Sequence, residues 1–418
     1  MSKYILRELC KNVTDGEHGT VPYEIGSPYY LLSAKNLLNG KIVLTDNERT
    51  ISKQSFDKIR KRTGLEKDDV LISTVGTIGN LAIADEVSYY EFNRDVGIFK
   101  CNKEKLIPEY LYYFLSTNAQ QKRMMKIAKG VTQKHLYISD LEEIDIDIPN
   151  VQEQSKAIHL LKRMDGKIGL NKKVISNLES MSKTLYDYWF VQFDFPNDNG
   201  HPYKTSGGKM EWNEILSREI PTGWEVGQVS DLGEVVAGGT PSTEYPEYFA
   251  SDGIAWITPK DMSLLDGKYI FHGATDISEE GLKNSSAKLM PAGSVVYTTR
   301  APIGYVAIAG NDVCTNQGFK SVVPKKEFGT EFVYYTLKSL EVHFKNVGNG
   351  STFSEVSKET FSTVPICIPE REVIKKFIDA VDKLSYMQKK AQMENIKLIA
   401  LRDFLLPMLM NGQVIFIN

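Results

Sequence analysis

Histidine and cysteine, the side chains that most often carry catalysis or bind metals, are scattered through this chain. No two of the six histidines have the HxxxH or HExxH spacing that places two ligands on one face of a helix. The four cysteines contain no CxxC pair, so we expect neither a zinc site nor a disulfide framework and interpret them as reduced core residues. The residues concerned are His18, His135, His159, His201, His272, His343, Cys10, Cys101, Cys314 and Cys367.

Patterns that bind phosphate or transfer a methyl group are also missing from the sequence. Residues 238–240 (Gly-Gly-Thr) are rich in glycine, but no Gly-Lys-Ser/Thr follows at the Walker distance, and GxGxxG does not occur. There is no Asn-Pro-Pro-Tyr pattern of the amino-methyl transfer type. The acid pairs 142/143 and 145/147 lie beside a predicted strand, where solvent-facing residues are the ordinary interpretation. We therefore predict that this chain has no catalytic residues and binds no metal.

An internal repeat is the most informative feature of the chain. Residues 35–174 are echoed by residues 260–391, roughly 220 positions later. Short matches recur in the same order: Ala-Ile-Ala at 82–84 and 307–309, Leu-Tyr-Tyr with Val-Tyr-Tyr at 111–113 and 333–335, and Ile-Asp-Ile-Pro with Ile-Cys-Ile-Pro at 146–149 and 366–369. Because most other side chains differ, the repeat suggests one scaffold that faces two different targets.

Composition describes an ordinary globular protein. The chain has 418 residues, of which 25% are charged and 42% hydrophobic, and this length suits two to four domains. No apolar run approaches the ~18 residues of a membrane span and no signal peptide is evident, so we expect a cytoplasmic protein with no membrane partner. A net charge of −3 argues against a protein that coats nucleic acid unaided. Basic clusters at 58–62 and 122–134 remain, although a lysine-rich helix face is often simply solvated.

Hydrophobic periodicity places these features on elements. The first 149 residues alternate short β-rich runs with turns and include a predicted helix at 108–129, which indicates a mixed α and β globule. Two long stripes with spacings of three and four follow the two copies and predict two long helices that pack on each other. The fold class is therefore α+β, with two mixed α/β globules each followed by a long helix. The predicted segments are globule 1–150, helix 151–191, linker 192–219, globule 220–369 and helix 370–412.

Both stripes consist of apolar or seam positions spaced three or four residues apart. In the first helix they run through Ile158, Leu161, Met164, Ile168, Asn171, Ile175, Leu178, Met181, Leu185 and Tyr188. In the second they run through Phe377, Val381, Leu384, Met387, Ala391, Leu398, Leu401 and Leu405, with Glu394 as a polar exception.

Taken in order, several short segments resemble a known family. They are Ile-Pro-Thr-Gly-Trp-Glu-Val at 220–226, Gly-Gly-Thr-Pro-Ser at 238–242, Arg-Ala-Pro-Ile-Gly at 300–304, Thr-Asn-Gln-Gly-Phe-Lys at 315–320, Gly-Ser-Thr-Phe at 350–353, Thr-Asp-Gly at 14–16 with His18, and Leu-Tyr-Asp-Tyr-Trp-Phe-Val at 185–191. Within a tandem repeat, this order resembles the specificity subunit of type I restriction-modification systems. The likeness covers nearly the whole chain.

That resemblance implies a function without catalysis in this chain. Each globule would be a target-recognition domain that reads one half of a split sequence in double-stranded DNA. The helices would form an antiparallel coiled coil that sets the gap and docks two methyltransferase (M) subunits, with restriction/translocase (R) subunits as further partners. S-adenosylmethionine and ATP with Mg²⁺ are expected in those partner subunits and no cofactor in this chain. A helix of ~30 residues spans ~45 Å at ~1.5 Å per residue, comparable with one DNA turn of ~34–36 Å.

Direct readout favours Arg, Lys, Asn, Gln, Ser and Thr on loops that reach base edges, and matched positions in the two copies supply the candidates. The DNA-binding candidates are Asp15, His18, Lys35, Arg94, Thr132, Gln133, Lys134, Thr240, Ser242, Lys260, Arg300, Gln317, Thr352 and Phe353. The partner-binding candidates, at the ends of the long helices, are Tyr186, Tyr188, Trp189, Phe190, Phe404, Leu405, Leu406 and Met408. Each DNA candidate could instead cap a helix or close a turn, and the aromatic helix ends could instead close the core.

Two other functions fit the sequence less well. A non-enzymatic scaffold, with two protein-binding globules and the helices as a spacer, agrees with the ordinary globular composition and the negative net charge. A stand-alone nucleic-acid methyltransferase is disfavoured because its cofactor patterns are missing.

Overall fold

The computed structural model describes residues 2–38, 40–45, 47–130, 134–300, 302–348 and 355–414. The chain divides into two compact units. Unit 1 comprises the described residues within Met1–Ile168 and Lys397–Asn418, and unit 2 comprises those within Gly169–Ile396. Each long helix therefore contributes residues to both units, so the units do not follow the segment boundaries drawn from the sequence, which stay predictions.

Unit 1 is built from short strands around two main sheets. The first has the order Cys10–Asp15, Val96–Cys101, Val70–Ser73, Leu81–Ile83, and the second has the order Thr50–Ile51, Tyr29–Leu32, Tyr90–Phe92. Two further pairs are Ser2–Ile5 with Asp145–Ile148 and Leu37–Leu38 with Lys41–Ile42. All of these pairings are antiparallel except that of Tyr29–Leu32 with Tyr90–Phe92.

Unit 2 repeats this arrangement with longer sheets. The first has the order Gly233–Ala237, Lys320–Pro324, Val295–Tyr297, Val306–Ala309, Tyr269–Ile270. The second has the order Phe249–Ala250, Thr275–Ile277, Ile254–Ile257, Val313–Thr315, and Glu225–Gln228 pairs with Pro365–Ile368. A separate hairpin, Met210–Asn213 with Arg218–Pro221, comes from the segment between the copies.

The topology confirms the internal repeat. In both copies the strand that opens the globule pairs antiparallel with the strand that precedes the long helix. A parallel pair also occurs at matching positions in the two copies, Tyr29–Leu32 with Tyr90–Phe92 and Ile254–Ile257 with Val313–Thr315. Unit 2 has a second parallel pair, Tyr269–Ile270 with Val306–Ala309. The mixed α and β character of the two globules is thus confirmed.

The short helices pack on these sheets. In unit 1 they are Leu6–Leu9, Lys53–Thr63, Pro108–Ser116, Asn118–Ile127 and Ile138–Glu142, with a 3-10 turn at Ala34–Asn36. In unit 2 they are Pro259–Ser263, Glu279–Lys283, Gly329–Ser339, Glu341–Gly348 and Lys358–Thr363, with 3-10 turns at Val229–Asp231 and Pro246–Tyr248.

The single helix predicted at 108–129 is wrong, because the structure has two helices separated at Thr117. The backbone of Thr117 is extended, with a ψ of 144°. Its hydroxyl donates to the carbonyl of Phe114 (2.8 Å) and accepts from the amide of Gln120 (3.4 Å), so one side chain satisfies the end of one helix and caps the next.

The two long helices run from Val151–Tyr186, continued by a π-helical turn at Asp187–Val191, and from Arg371–Met410. They are called the first and second long helix below. In unit 1 Asp165 pairs with Arg402 (2.9 Å). In unit 2 Asn171 bonds Asn395 (3.0 Å) and Glu179 bonds Gln388 (3.3 Å). Because the partner number falls as the first number rises, the helices pair antiparallel, and this expectation is confirmed.

Part of the predicted stripe between the helices was wrong. Met181, Met387 and Leu401 are exposed, whereas Ser182 and Gln388 are buried. Leu161, Ile168, Ile175, Ser182 and Trp189 are all buried and lie seven residues apart, the spacing of a coiled-coil position. The apolar pattern favours Met181 because the buried position next to it is a serine, and once Met181 is taken, spacing of seven leads to Tyr188 instead of the buried Trp189. The second helix has the same property: the polar residues Ser385, Gln388, Gln392 and Asn395 are buried in its stripe.

The corrected stripe predicts opposite effects for two adjacent residues. Ser182 is fully buried and its hydroxyl has no hydrogen-bond partner among the described residues, whereas the Met181 side chain is 56% exposed. Ser182→Asp should lower the free energy of unfolding by at least about 3 kcal/mol, because it buries an uncompensated charge. Met181→Asp should cost less than about 1 kcal/mol, and Ser182→Ala should cost nothing. Urea unfolding followed by circular dichroism measures all three, and equal losses for the two aspartates would contradict the register.

Candidate nucleic-acid interface

In unit 1, backbone hydrogen bonds bring the turn at 15–18 against the segment at 92–95. The amide of Glu17 donates to the carbonyl of Phe92 (2.7 Å), and the amide of Arg94 donates to the carbonyl of Glu17 (3.0 Å). No side chain fits at Gly16, because a Cβ would overlap the carbonyl oxygens of Phe92 and Asn93. The glycine therefore permits the close approach that places Asp15, His18 and Arg94 together.

Asp95 extends this edge to the remaining described candidates of unit 1. Its carbonyl accepts from the amide of Thr74 (2.8 Å), whose own carbonyl accepts from the amide of Leu136 (2.9 Å), so the chain at Lys134 lies alongside. The Asp95 carboxylate accepts from the amide of Ala34 (3.1 Å), which positions the 3-10 turn that carries Lys35. Burial raises the pKa of the Asp95 carboxyl, although the hydrogen bond from the Ala34 amide opposes this shift. One aspartate thus ties three chain segments to one edge.

Arg62 stabilises the turn at 15–18. Its guanidinium donates to the carbonyls of Asp15 (3.0 Å) and Gly16, and it lies 3.7 Å from the carboxylates of both Asp15 and Glu17. Asp15 also contacts the ring of His18 (2.8 Å). Because its carboxylate is occupied by Arg62 and His18, Asp15 acts as a support within this turn, and the exposed His18 is the side chain that faces solvent.

Lys35 is exposed but is not a free cation. Its ammonium pairs with the buried carboxylate of Glu48 (3.0 Å). Burial alone would raise the pKa of Glu48, but hydrogen bonds from Thr45, Lys35 and Asn36 outweigh it and lower that pKa. The charge of Glu48 is therefore maintained, and Lys35 is oriented by it.

Unit 2 assembles an equivalent edge from the equivalent segments. The amide of Gly239 donates to the carbonyl of Thr315 (2.9 Å), and the amide of Asn316 donates to the carbonyl of Ile257 (3.0 Å). The amide of Thr299 donates to the carbonyl of Gly318 (2.8 Å). These bonds gather the chain at 240, 260, 300 and 317, so the described candidates of unit 2 also share one edge.

The candidate side chains of unit 2 differ in whether they are already hydrogen-bonded within the protein. The hydroxyl of Thr240 donates to the side-chain oxygen of Gln317, so these two exposed residues support each other. Ser242 is exposed, and its hydroxyl accepts from the amide of Glu244 (3.3 Å), which is turn chemistry. Lys260 is exposed at the start of the helix Pro259–Ser263.

Arg300 belongs to a charge cluster that sequence reasoning missed. Its guanidinium lies 3.9 Å from the carboxylate of Glu355, which also lies 3.8 Å from the ammonium of the buried Lys320. Burial lowers the pKa of Lys320; Glu355 opposes this, while the positive charges of Arg300 and Lys358 add to it. One carboxylate thus lies between two cations, Arg300 and Lys320, beside the edge. Lys320 ends the family-like segment at 315–320, but nothing in the sequence of that segment indicates that the lysine is buried.

Four DNA-binding candidates, Thr132, Gln133, Thr352 and Phe353, lie outside the described residues. The other ten are placed on the two edges: Asp15, His18, Lys35, Arg94 and Lys134 in unit 1, and Thr240, Ser242, Lys260, Arg300 and Gln317 in unit 2. Nine of these ten are exposed, and Asp15 is half-buried. In the sequence, Arg62 is only one member of the basic run at 58–62, because its contacts to the turn at 15–18 depend on the fold.

The partner-binding candidates are mostly not at the surface. Tyr186, Trp189 and Phe190 lie in the main core of unit 2, and Leu406 lies in the core of unit 1, so their side chains close the core. Leu405 and Met408 are half-buried. Tyr188 and Phe404 are exposed, at 38% and 65%. For the four buried residues the core role, which the sequence left open, is the one the structure shows.

Within the described residues, no three His, Cys, Asp or Glu side chains are grouped so that they could hold a metal ion. Across the same part of the chain, no helix is both long and apolar enough to span a membrane.

Comparison with known proteins identifies the family. Residues 23–180 and 221–397, which cover most of the chain and include both long helices for much of their length, match the type I restriction modification DNA specificity domain. The chain belongs to this family. Each matched range contains one copy of the repeat, so each copy belongs to one specificity domain.

Individual relatives agree with this family. The chain is 40% identical over 203 residues to the specificity subunit of the type I restriction enzyme MjaIX from Methanocaldococcus jannaschii, covering 47% of this chain and 46% of that protein. It is 25% identical over 407 residues to the specificity subunit of the type I restriction enzyme HindI from Haemophilus influenzae, covering 84% and 88%. The fold is similar to the crystal structure of the S subunit of a type I system from M. genitalium, with a TM-score of 0.62 and 15% identity over 98% of this chain and 96% of that one.

Proposed function

We propose that this chain is the sequence-specific DNA-recognition subunit of a type I restriction-modification complex, and that each specificity domain reads one half of a bipartite site. The observation that carries the proposal is the repeated edge. In each unit the same backbone connections present exposed Arg, Lys and uncharged polar side chains on neighbouring loops. Such loops suit base edges in the major groove.

The residue types divide into two roles. Arg94 and Arg300 are exposed guanidiniums that suit bidentate pairing with guanine, and Gln317 suits adenine. Lys35, Lys134 and Lys260 suit phosphate contacts, which position the protein without reading sequence. Glu355 pairs with Arg300 in the free protein and must release or share it when DNA binds, which penalises sites that offer Arg300 no hydrogen-bond acceptor.

The chain itself is not a catalyst. Methyltransferase subunits, two per complex, would dock along the long helices and supply S-adenosylmethionine, and restriction/translocase subunits would supply ATP and Mg²⁺. The helix pair would set the distance between the half-sites. Exposed apolar side chains on the helices support a docking role, among them Tyr188, Tyr386 and Phe404. A net charge of −3 fits a subunit that shares phosphate contacts with its partners.

Removing one guanidinium tests the reading of the second half-site. Arg300→Ala should weaken binding of the cognate duplex by ~1–3 kcal/mol and should relax the sequence requirement at one position of the second half-site only. Lys283→Ala, which removes an exposed cation elsewhere in unit 2, is the control and should change neither. The measurement is a gel shift with the methyltransferase subunit present, using duplexes substituted at each position. Equal weakening on every sequence would identify Arg300 as a phosphate contact and remove it from the readers.

Substitution of two aromatic residues at the helix ends tests the docking of partner subunits. Phe404→Ala removes an exposed ring and should weaken assembly with the methyltransferase subunit while leaving the melting temperature nearly unchanged. Trp189→Ala removes a core ring and should lower the free energy of unfolding by about 3–5 kcal/mol. Analytical ultracentrifugation with the partner and thermal unfolding of the chain alone separate the two effects. A Phe404→Ala chain that assembles with unchanged affinity would exclude this surface.

A further inference from the structure

The repeat contains a motif to which recognition of DNA assigns no role. Glu109, Tyr112 and Tyr113 on the helix Pro108–Ser116 correspond to Glu331, Tyr334 and Tyr335 on the helix Gly329–Ser339, a Glu-x-x-Tyr-Tyr pattern in both copies. These helices pack on the sheets, and none of their residues is among the DNA-binding candidates. In both units the motif contacts the long helices.

In unit 2 the second tyrosine of the motif reaches the first long helix. The Tyr335 hydroxyl donates to the carboxylate of Glu179 (3.0 Å). Lys338 donates to the same carboxylate (2.6 Å), and so does the Gln388 amide from the second long helix (3.3 Å). Glu179 is thus a common acceptor for the globule and for both long helices.

A fully buried lysine completes this arrangement. The Lys268 ammonium donates to Glu331, to the Tyr335 hydroxyl (3.3 Å) and to the hydroxyl of Ser385 on the second long helix (3.3 Å). Its side chain has no exposed surface and lies 4.7 Å from the centre of the Tyr335 ring. We call Glu179, Lys268, Glu331, Tyr335 and Lys338 the unit 2 charge cluster. It contains two cations and two carboxylates, so its charges balance.

The strand beside Lys268 is fastened to the same helix. Tyr269–Ile270 is the edge strand of the five-stranded sheet, so one side of its backbone has no strand partner. The Gln392 side chain fills that side: its oxygen accepts from the amide of Tyr269 (3.1 Å) and its nitrogen donates to the carbonyl of Tyr269. Gly267, with a φ of +141°, leaves the space into which Gln392 fits. These two hydrogen bonds therefore form at only one position of the sheet edge along the second long helix.

The ionisation of the cluster is consistent with a fixed geometry. Burial would raise the pKa of Glu179, but the charges of Lys268 and Lys338 and the hydrogen bonds outweigh it, so that pKa is lowered. Burial, with the nearby Glu179 and Glu331, raises the pKa of Tyr335. Glu179 therefore stays charged and Tyr335 stays a donor at neutral pH. A buried ion cluster adds little net stability over apolar packing, but it accepts few alternative geometries, since any shift leaves a charge unpaired.

Unit 1 has similar contacts in a more exposed form. The Tyr113 hydroxyl donates to Asp165 on the first long helix (2.6 Å), and Asp165 pairs with Arg402 on the second (2.9 Å). Glu109 pairs with Lys162 on the first long helix (2.6 Å), where the lysine side chain is 55% exposed. We call these five residues the unit 1 charge cluster. The tyrosine and the glutamate keep their positions in both copies, whereas the cations come from different places in the chain.

We propose that the two charge clusters are positioning devices: they fix the orientation of each specificity domain on the long helices and thereby restrict the spacer length that the protein accepts, without touching DNA. This inference rests on the proposed function. The effect should be larger in unit 2, because water and salt weaken the exposed pairs of unit 1 more than the buried ones. Reading of the half-sites is left to the loops, so spacer length and base identity should be separable.

The test removes one hydroxyl at a time from the full chain in complex with its methyltransferase subunit. Tyr335→Phe breaks the links from Lys268 and to Glu179 and keeps the ring. Tyr297→Phe is the matched control, since the Tyr297 ring is equally buried in unit 2 and its hydroxyl has no partner among the described residues. Methylation rates are measured on duplexes that carry both half-sites, with the spacer at the wild-type length and one base pair shorter or longer. The wild-type length comes from sequencing of methylated DNA.

For Tyr335→Phe, the preference for the wild-type spacer should fall at least about tenfold, because the loss of even one hydrogen bond to a charged group corresponds to that factor and two are lost. Both half-site sequences should stay the same. Tyr113→Phe should give a smaller fall and Tyr297→Phe none. Ile374→Val, which removes one methylene from the core of the same unit at a residue outside the charge cluster, should also leave the preference unchanged. An unaltered preference in Tyr335→Phe, or an equal fall in Ile374→Val, would overturn the inference. Changed half-site sequences would overturn it as well, whereas a wild-type complex that methylates no split site would refute the proposed function itself.

Discussion

The antiparallel pairing of the two long helices is the constraint on which both globules depend. Neither unit completes its core with residues of one helix alone. Unit 1 packs Ile158 and Leu161 from the first helix together with Leu409 from the second. Unit 2 packs Tyr186 and Trp189 from the first with Phe377 from the second. Separation of the helices would therefore expose core residues in both units at once, which makes helix register a property of the whole fold.

Polar residues in the stripe specify that register. A stripe of uniform apolar residues accepts shifts of one heptad, whereas a buried amide needs its partner at a defined position. Asn171 meets Asn395, and Glu179 meets Gln388. Gln392 is committed to the backbone of Tyr269. The helices are thus fixed to each other and, in unit 2, to the globule by groups that would be unsatisfied in any neighbouring register.

The sequence predicts the features that depend on residue pattern, but it does not predict which individual side chains are buried, because tertiary packing decides that. The repeat, the two long helices and the matched positions of the candidate loops follow from order, periodicity and residue type. Met181 was chosen over Ser182 because periodicity was assigned by hydrophobicity, and burial of a serine is decided only by the facing helix. Trp189 and Phe190 look like a binding patch in sequence, because nothing local shows that Phe377 and Trp224 cover them. Lys268 is an ordinary lysine until the fold brings Glu331 and Tyr335, more than sixty residues later, around it.

If the helix pair is the ruler between half-sites, lengthening it should change only the spacer. The structure indicates where to insert: one heptad between Ile168 and Gly169 and one between Ile396 and Lys397, the boundaries of the two units, so that contacts within each unit are kept. A heptad preserves the stripe and adds about 10 Å at ~1.5 Å per residue, close to three base pairs at ~3.4 Å each. Sequencing of methylated DNA from cells that express the lengthened chain with its partners should show both half-sites unchanged and a spacer longer by about three base pairs. An active complex that still methylates only the original spacing would contradict the account.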